Sequence, residues 1–167
     1  MNYSSNGVTV DEIASRTGIN WTLNIGGVIS RTVMDEDDEY NPLKAPPANI
    51  NNQNDLAAWA YQMMPMGGTD WYNTQPDEYR FNINGLSGKF FYDHTNALKL
   101  SSFSDVKIEK NGANAVWKFK ITDPNGIVYY FGGPNATEKS KYQNPGCARG
   151  NMYNSYSDVA YYVNKIE

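Results

Sequence analysis

Several residue types that carry chemistry are scarce in this sequence. Cys147 is the only cysteine among 167 residues, so neither an intrachain disulfide nor a cysteine-based zinc site is available. Lysine and arginine form no cluster and the formal net charge is −4, which excludes the concentrated basic surface of a nucleic-acid-binding protein. No apolar run approaches the roughly 20 residues that a membrane-spanning helix needs. The absences exclude a disulfide framework, a nucleic-acid partner and membrane insertion.

The start of the chain also lacks the charged and apolar regions of a signal peptide, since it opens on Met1, Asn2 and Tyr3. A chain of 167 residues can bury one sizeable core, and no charge step or long linker marks a second unit. We therefore expect residues 1–167 to form a single β-rich domain that is a fragment of a larger protein.

The polarity of the chain comes mostly from uncharged residues. Only 19% of the residues are charged, whereas the chain contains 13 Tyr, 6 Phe and 4 Trp. Aromatic and β-branched side chains suit a half-buried pleated surface, so this composition is typical of β-rich extracellular proteins.

Alternation of apolar and polar residues predicts three hairpins. Residues 21–25 and 28–33 flank Gly26 and Gly27, which favours a hairpin or a sharply bent strand. Residues 79–83 and 89–93 alternate around a loop of about five residues, and residues 117–121 and 127–131 alternate around an Asp-Pro-Asn-Gly turn. Weaker strand patterns cover residues 98–100, 106–108 and 159–166. The predicted fold is a mainly β, antiparallel sandwich or sheet-rich domain.

One segment has a helical period. Leu56, Trp59, Ala60 and Met63 recur at i, i+3, i+4 and i+7, after Asn54 or Asp55 as an N-cap and before Pro65. This spacing predicts a short amphipathic helix over about residues 55–64, inserted between strands.

A family resemblance rests on residues 18–31, GINWTLNIGGVISR. This segment resembles the GxGWSLNAGGxIxR signature found near the start of large RHS/YD-repeat proteins of Bacteroidetes. Residues 3–15, 75–90, 119–132 and 160–166 are similar, in the same order, to further motifs of that family. Departures occur at Asn20, Ile25 and Tyr161, and the acidic run replaces a family turn motif. The motif residues are Gly18, Trp21, Leu23, Gly26, Gly27, Arg31, Asp123 and Gly126.

The resemblance implies a non-enzymatic structural module of a large secreted or cell-surface bacterial protein. Such a module would precede the repeats, contribute to a β-shell and pack against neighbouring segments of the same polypeptide. The residues themselves suit this role, because a glycine pair lets a strand bend and Arg31 is suited to tie a carboxylate or carbonyls at a sheet edge. No cofactor is expected.

Carboxylates offer two other hypotheses. The acidic run at residues 35–39 is expected to be a solvated loop; the alternative is Ca²⁺ binding through Asp35, Asp37 and Asp38, although the run lacks the spacing and glycine of an EF-hand. A glycoside-hydrolase acid/base pair would draw on Asp70 or on Asp77 and Glu78.

The lone histidine and cysteine have no accompanying catalytic motif. No G-x-S-x-G elbow accompanies His94, and Cys147 has no histidine nearby in the sequence. An ordinary turn histidine and an unreactive thiol are the expectations.

A carbohydrate-binding module is the principal alternative to the structural one. Trp71 and Tyr72 follow Asp70, and aromatic faces beside Asp or Asn side chains are what a glycan-binding surface uses. An all-β domain must also bury most of its aromatic residues, so the same residues fit a core.

Overall fold

The computed structural model describes residues 2–5, 21–24, 26–34, 37–63, 73–102, 105–112, 115–141 and 156–167. Residues 2–5 and 21–24 are described by their backbone alone. These parts of the chain are mainly β, with antiparallel pairing and one short helix, which confirms the fold class expected from the sequence.

Two antiparallel sheets account for the described strands. Strands β1 (Asn2–Ser5) and β2 (Trp21–Asn24) pair with each other, with Ser5 opposite Trp21. The other nine strands form one sheet. Their bounds are β3 Val28–Thr32, β4 Glu78–Ile83, β5 Leu86–Tyr92, β6 Leu98–Leu100, β7 Lys107–Lys110, β8 Phe119–Thr122, β9 Val128–Phe131, β10 Thr137–Lys141 and β11 Tyr156–Ile166. Eight of these strands lie in the order β6-β5-β4-β3-β11-β9-β8-β7, and the ninth, β10, pairs with β11.

The long strand β11 is the centre of the large sheet. Ala160 pairs with both Glu138 of β10 and Ser30 of β3, so these two strands lie on opposite edges of β11. Further along, Val163 pairs with Phe131 of β9, and the register shifts between Val163 and Lys165. One strand therefore joins the two halves of the sheet.

The sheet curls so strongly that distant strands meet. Four strand spacings separate β4 from β8, which would be about 19 Å in a flat sheet. The rings of Tyr79 on β4 and Phe119 on β8 nevertheless have centroids only 5.3 Å apart. The inward side chains therefore fill a concave core, formed by Ile29, Tyr79, Phe81, Ile83, Phe90, Tyr92, Phe119, Ile121, Tyr129, Phe131 and Tyr161.

The Gly26-Gly27 pair bends the chain and does not close a hairpin. Strand β2 pairs with β1, whereas β3 pairs with β4 and β11. Both glycines have positive φ, 73° and 138°, a backbone conformation that residues with a Cβ rarely adopt. The pair therefore redirects the chain from the small sheet into the large one.

The hairpin of β4 and β5 has a tighter turn than the expected loop of about five residues. Ile83 pairs with Leu86, and Asn84 and Gly85 form a two-residue turn with φ of 45° and 87°. The strand continues through Gly88, which lies opposite Phe81, and a Cβ there would come within 2.6 Å of the Phe81 ring. Gly88 therefore makes room for a core aromatic ring and does not mark a loop.

Helix α1 spans Gln53–Met63, close to the expected bounds. The Oδ1 atom of Asn52 accepts a hydrogen bond from the backbone N of Asn54 at 3.0 Å, so Asn52 is the N-cap rather than Asn54 or Asp55. The helix has no buried residue, and Leu56 is 39% exposed. The expected apolar face is present, but it lies outside the core.

Candidate functional site: a buried arginine and the acidic loop

Arg31 lies on the concave side of the sheet. Side chains two apart on a strand share a face, so Arg31 points to the same side as the core residue Ile29. Its side chain is 0% exposed, and its guanidinium carbon lies 5.7 Å from the centre of the Tyr79 ring. A charged group in such a position needs partners of opposite charge.

Two carboxylates and one carbonyl surround the guanidinium group. The Nε atom of Arg31 donates to Oδ2 of Asp77 at 2.9 Å, and Nη2 contacts both Asp77 and Asp37. The Nη1 atom donates to the backbone carbonyl of Asp158 on β11 at 3.4 Å. Arg31 thus ties carboxylates and a carbonyl as expected, but not at a sheet edge, since β3 pairs with β4 on one side and with β11 on the other. The tie links β3 to β11 and to the segment before β4.

Asp77 is enclosed by N–H donors. Besides Arg31, the backbone N of Met34 donates to Oδ1 at 2.9 Å and the backbone N of Asp38 donates to Oδ2 at 3.1 Å. The Asp77 side chain is 0% exposed. Both of its oxygens are therefore used inside the protein.

Residues 37–41, which we call the acidic loop, are fastened to the segment before β4. Asp38 accepts hydrogen bonds from the backbone N of Asp77 at 2.9 Å and from the side-chain amide of Asn73 at 2.6 Å. The same amide donates to the carbonyl of Asn41 at 2.8 Å. The acidic loop and residues 73–77 therefore hold each other in place.

Glu39 extends the charge pairing to a second pair of strands. Its carboxylate lies 2.7 Å from the Lys118 ammonium and 3.4 Å from that of Lys110. Lys110 is at the end of β7 and Lys118 directly precedes β8. The acidic loop therefore neutralises cations from both halves of the curled sheet.

Burial and ion pairing compete in setting the pKa values of this cluster. Desolvation raises the pKa of Asp77 to about 6, against the opposing attraction of Arg31, and it also raises the pKa of Asp38. Burial disfavours the charge on Arg31, but the field of Tyr79, Asp77 and Asp37 outweighs it and raises the pKa of Arg31. Arg31 therefore stays charged, while Asp77 is poised to take up a proton in mildly acidic solution.

The expected hydrolase pair is split between two faces of the sheet. Asp77 is buried beside Asp38, whereas Glu78 pairs with Arg80 at 2.5 Å and with Lys89 at 3.3 Å on the other side. A general acid must come within hydrogen-bond reach of the substrate. Among the described contacts, those of Asp77 are all internal, so the arrangement acts as an electrostatic tie.

The acidic loop places its carboxylates on protein donors. Asp37 contacts Arg31 and accepts a hydrogen bond from the backbone N of Glu39, and Asp38 contacts Asn73. Within the part of the chain that the structure describes, no group of three His, Cys, Asp or Glu residues is arranged to hold a metal ion. The third expected calcium ligand, Asp35, lies outside the described residues.

Asp123 and Gly126 of the family-like motif lie in the turn between β8 and β9. The Oδ1 atom of Asp123 accepts hydrogen bonds from the backbone N of Asn125 and of Ile127, each at 2.9 Å, and Gly126 has a φ of 88°. Trp21 and Leu23 lie in β2, and Gly18 lies outside the described residues.

Several other sequence-based candidates are not covered by the structure. Trp71, Tyr72 and Asp70 lie outside the described residues, as does Cys147, so the glycan-binding surface stays a prediction. His94 is exposed in the turn after β5, where the Asp93 carboxylate accepts hydrogen bonds from the backbone N of Thr95 and of Ala97.

The sequence did not reveal the partners of Arg31. Asp77 is 46 residues from Arg31, and Lys110 and Lys118, which pair with Glu39 of the same cluster, belonged to no predicted site. The available signal was the acidic run itself, because so many carboxylates in succession, near a single arginine, require further cations from elsewhere in the fold.

Comparison with known proteins adds no family assignment. No family model, curated protein or solved structure matches this chain. Among the described residues, the helix that is present is neither long nor apolar enough to cross a membrane.

Proposed function

We propose that this chain is a non-catalytic structural module of a large secreted or cell-surface bacterial protein of the RHS/YD-repeat kind. In that protein it contributes to a β-rich shell and packs against neighbouring segments of the same polypeptide. The observation that carries the proposal is the buried cluster around Arg31, whose charged groups are bound to one another and to the backbone.

The placement of the family-like residues supports the proposal. Gly26 and Gly27 redirect the chain into the large sheet, and Arg31 ties that sheet to the acidic loop. Asp123 and Gly126 shape the turn between β8 and β9. Each of these residues serves the scaffold, which is the pattern expected when a motif specifies architecture.

Protection of the parent protein against proteolysis tests the proposal. Deleting residues 1–167 from the full-length protein should open the shell and shorten the half-life of the remainder under a non-specific protease. Arg31→Met in the intact parent should have a milder effect of the same kind, with Arg80→Met as the matched surface control. Unchanged protease resistance after the deletion would count decisively against a shell role.

A further inference from the structure

Three Asn-Gly pairs lie in the described residues, and their backbone nitrogens have different surroundings. These pairs are Asn84-Gly85, Asn111-Gly112 and Asn125-Gly126. Asparagine before glycine is a chemically labile pair, because the following backbone nitrogen can attack the side-chain carboxamide and glycine offers no Cβ to hinder it. The fold therefore decides which pair reacts.

At Asn111 the reacting groups are already in contact. The backbone N of Gly112 donates to the side-chain Oδ1 of Asn111 at 3.0 Å, which places that nitrogen beside the carboxamide carbon. Gly112 is exposed, and among the described residues nothing lies within 4 Å of a Cβ built on it. Hydroxide and water can therefore reach the pair.

At Asn125 the equivalent nitrogen is held away from this chemistry. The backbone N of Gly126 donates to the carbonyl of Asp123 at 3.0 Å, and the backbone N of Asn125 donates to the Asp123 carboxylate. Attack would require breaking the hydrogen bond that closes the turn. Asn84 lies in the two-residue turn between Ile83 and Leu86, which pair with each other, and this turn holds the φ of Asn84 at 45°.

We propose that Asn111 is a site of spontaneous deamidation in the folded protein. Hydroxide removes the proton from the Gly112 nitrogen, which forms a bond to the Asn111 side-chain carbon, and the carbon–nitrogen bond of the carboxamide breaks with release of ammonia. Water then opens the cyclic imide at either carbonyl, giving aspartate or isoaspartate. The net change replaces an amide by a carboxylate and adds one negative charge.

The product would alter the end of the β7–β8 ladder. The backbone N of Asn111 donates to the carbonyl of Lys118 at 2.8 Å, and the preceding Lys110 pairs with Glu39 of the acidic loop. Isoaspartate adds a carbon to the main chain directly after this last ladder bond. The new carboxylate also stands next in sequence to Lys110, where it competes with Glu39 for the ammonium group.

Peptide mapping after incubation of the folded chain in mildly alkaline buffer tests the proposal. Asn111 should convert about tenfold faster than Asn125, since only the Asn125 reaction must first break a turn hydrogen bond. In denaturant the two rates should become similar, which shows that the fold sets the difference. Equal rates in the folded chain, or a ratio that persists in denaturant, would overturn the proposal.

Gly112→Ala provides the matched variant. The added methyl group hinders ring closure at Asn111 and has open space in the fold, so conversion at Asn111 should fall several-fold while conversion at Asn125 is unchanged. Unaltered conversion at Asn111 would show that the Gly112 nitrogen is not the attacking group. A loss of both reactions together would point to a change in the whole fold and would equally reject the assignment.

Discussion

The adjacent carboxylates Asp77 and Glu78 have opposite electrostatic surroundings. Asp77 directly precedes β4 and Glu78 is its first residue; the Asp77 side chain is buried, whereas that of Glu78 is 26% exposed. Burial raises the pKa of Asp77 to about 6. For Glu78, desolvation is outweighed by the ion pairs with Arg80 and Lys89, and the pKa is lowered. Two carboxylates side by side should therefore contribute to stability with opposite dependence on pH.

The pH dependence of unfolding tests this difference. The folded chain takes up the Asp77 proton near pH 6 and the unfolded chain near pH 4, so the Asp77 contribution to the free energy of unfolding rises as pH falls from about 7 to about 5. Asp77→Asn should remove this rise, measured by urea unfolding across that range. Glu78→Gln is the control, because the Glu78 contribution is present above its ordinary pKa and is lost only at lower pH. An unaltered slope in Asp77→Asn would contradict the assignment.

The residues of the buried cluster show where sequence reasoning ends. The sequence suggested Arg31 as a tie to a carboxylate or to carbonyls at a sheet edge, because its planar guanidinium suits such partners. It did not identify Asp77, since a contact across 46 residues depends on how β3 and β4 pair. The acidic run was assigned to solvent or Ca²⁺ because Lys110 and Lys118, the cations that pair with Glu39, come from distant strands.

At the scale of elements, two five-residue turns share one hydrogen-bond pattern. In residues 93–97 and 123–127, the first Asp accepts backbone hydrogen bonds through its side chain and pairs with the fifth residue. The fourth position has positive φ in both, at Asn96 with 61° and at Gly126 with 88°. Asn and Gly are the residues that tolerate this conformation. The Asp-Pro-Asn-Gly turn was predicted from the sequence, whereas the turn at residues 93–97 was not.

Gly126→Ala should lower the free energy of unfolding by about 1 kcal/mol, because the turn holds this residue in a left-handed backbone conformation that the Cβ of alanine disfavours. Gly112→Ala is the control, since Gly112 also has open space for a Cβ and is not among the positive-φ glycines, and its effect should stay within about 0.5 kcal/mol. Chemical denaturation of both variants measures the difference. Equal losses would show that φ at Gly126 is not the cause.

Helix α1 depends little on the core. It has 11 residues and none of them is buried, and isolated helices of this length are marginal in water. Its backbone amides should therefore exchange with solvent much faster than those of β4 and β9, as measured by hydrogen exchange. Protection of the helix amides equal to that of the β4 amides would contradict this account.

Leu56→Ala should change the free energy of global unfolding by less than about 1 kcal/mol, since Leu56 is 39% exposed.

The sequence predicted most elements but not all of their lengths. Alternating patterns located β4, β8 and β9, and the helical period located α1 within two residues at its start. Strand β10, with the sequence TEKSK, has no apolar alternation and is held by its pairing with β11, so no local signal predicted it. Local patterns identify strands that bury an apolar face, and they miss a polar strand such as β10.

The whole molecule is organised by the curl of the large sheet. Its curvature brings Tyr79, Phe119 and Tyr161 together on the concave side, with Phe119 and Tyr161 centroids 5.0 Å apart. The acidic loop lies against the same region and binds Arg31 of β3 together with Lys118 beside β8. No periodicity in the sequence predicts such curvature, because it results from pairing between strands far apart in the chain.

The most direct test of the account compares two arginine substitutions in the free energy of unfolding. Arg31→Met removes the guanidinium from two buried carboxylates and should cost about 3–5 kcal/mol at neutral pH. Arg80→Met removes an arginine whose side chain is 30% exposed and should cost less than about 1 kcal/mol. The loss in free energy of unfolding caused by Arg31→Met should also be smaller near pH 5, where the unpaired carboxylates can protonate. A loss for Arg31→Met no larger than that for Arg80→Met would contradict the claim that the buried cluster holds this fold together.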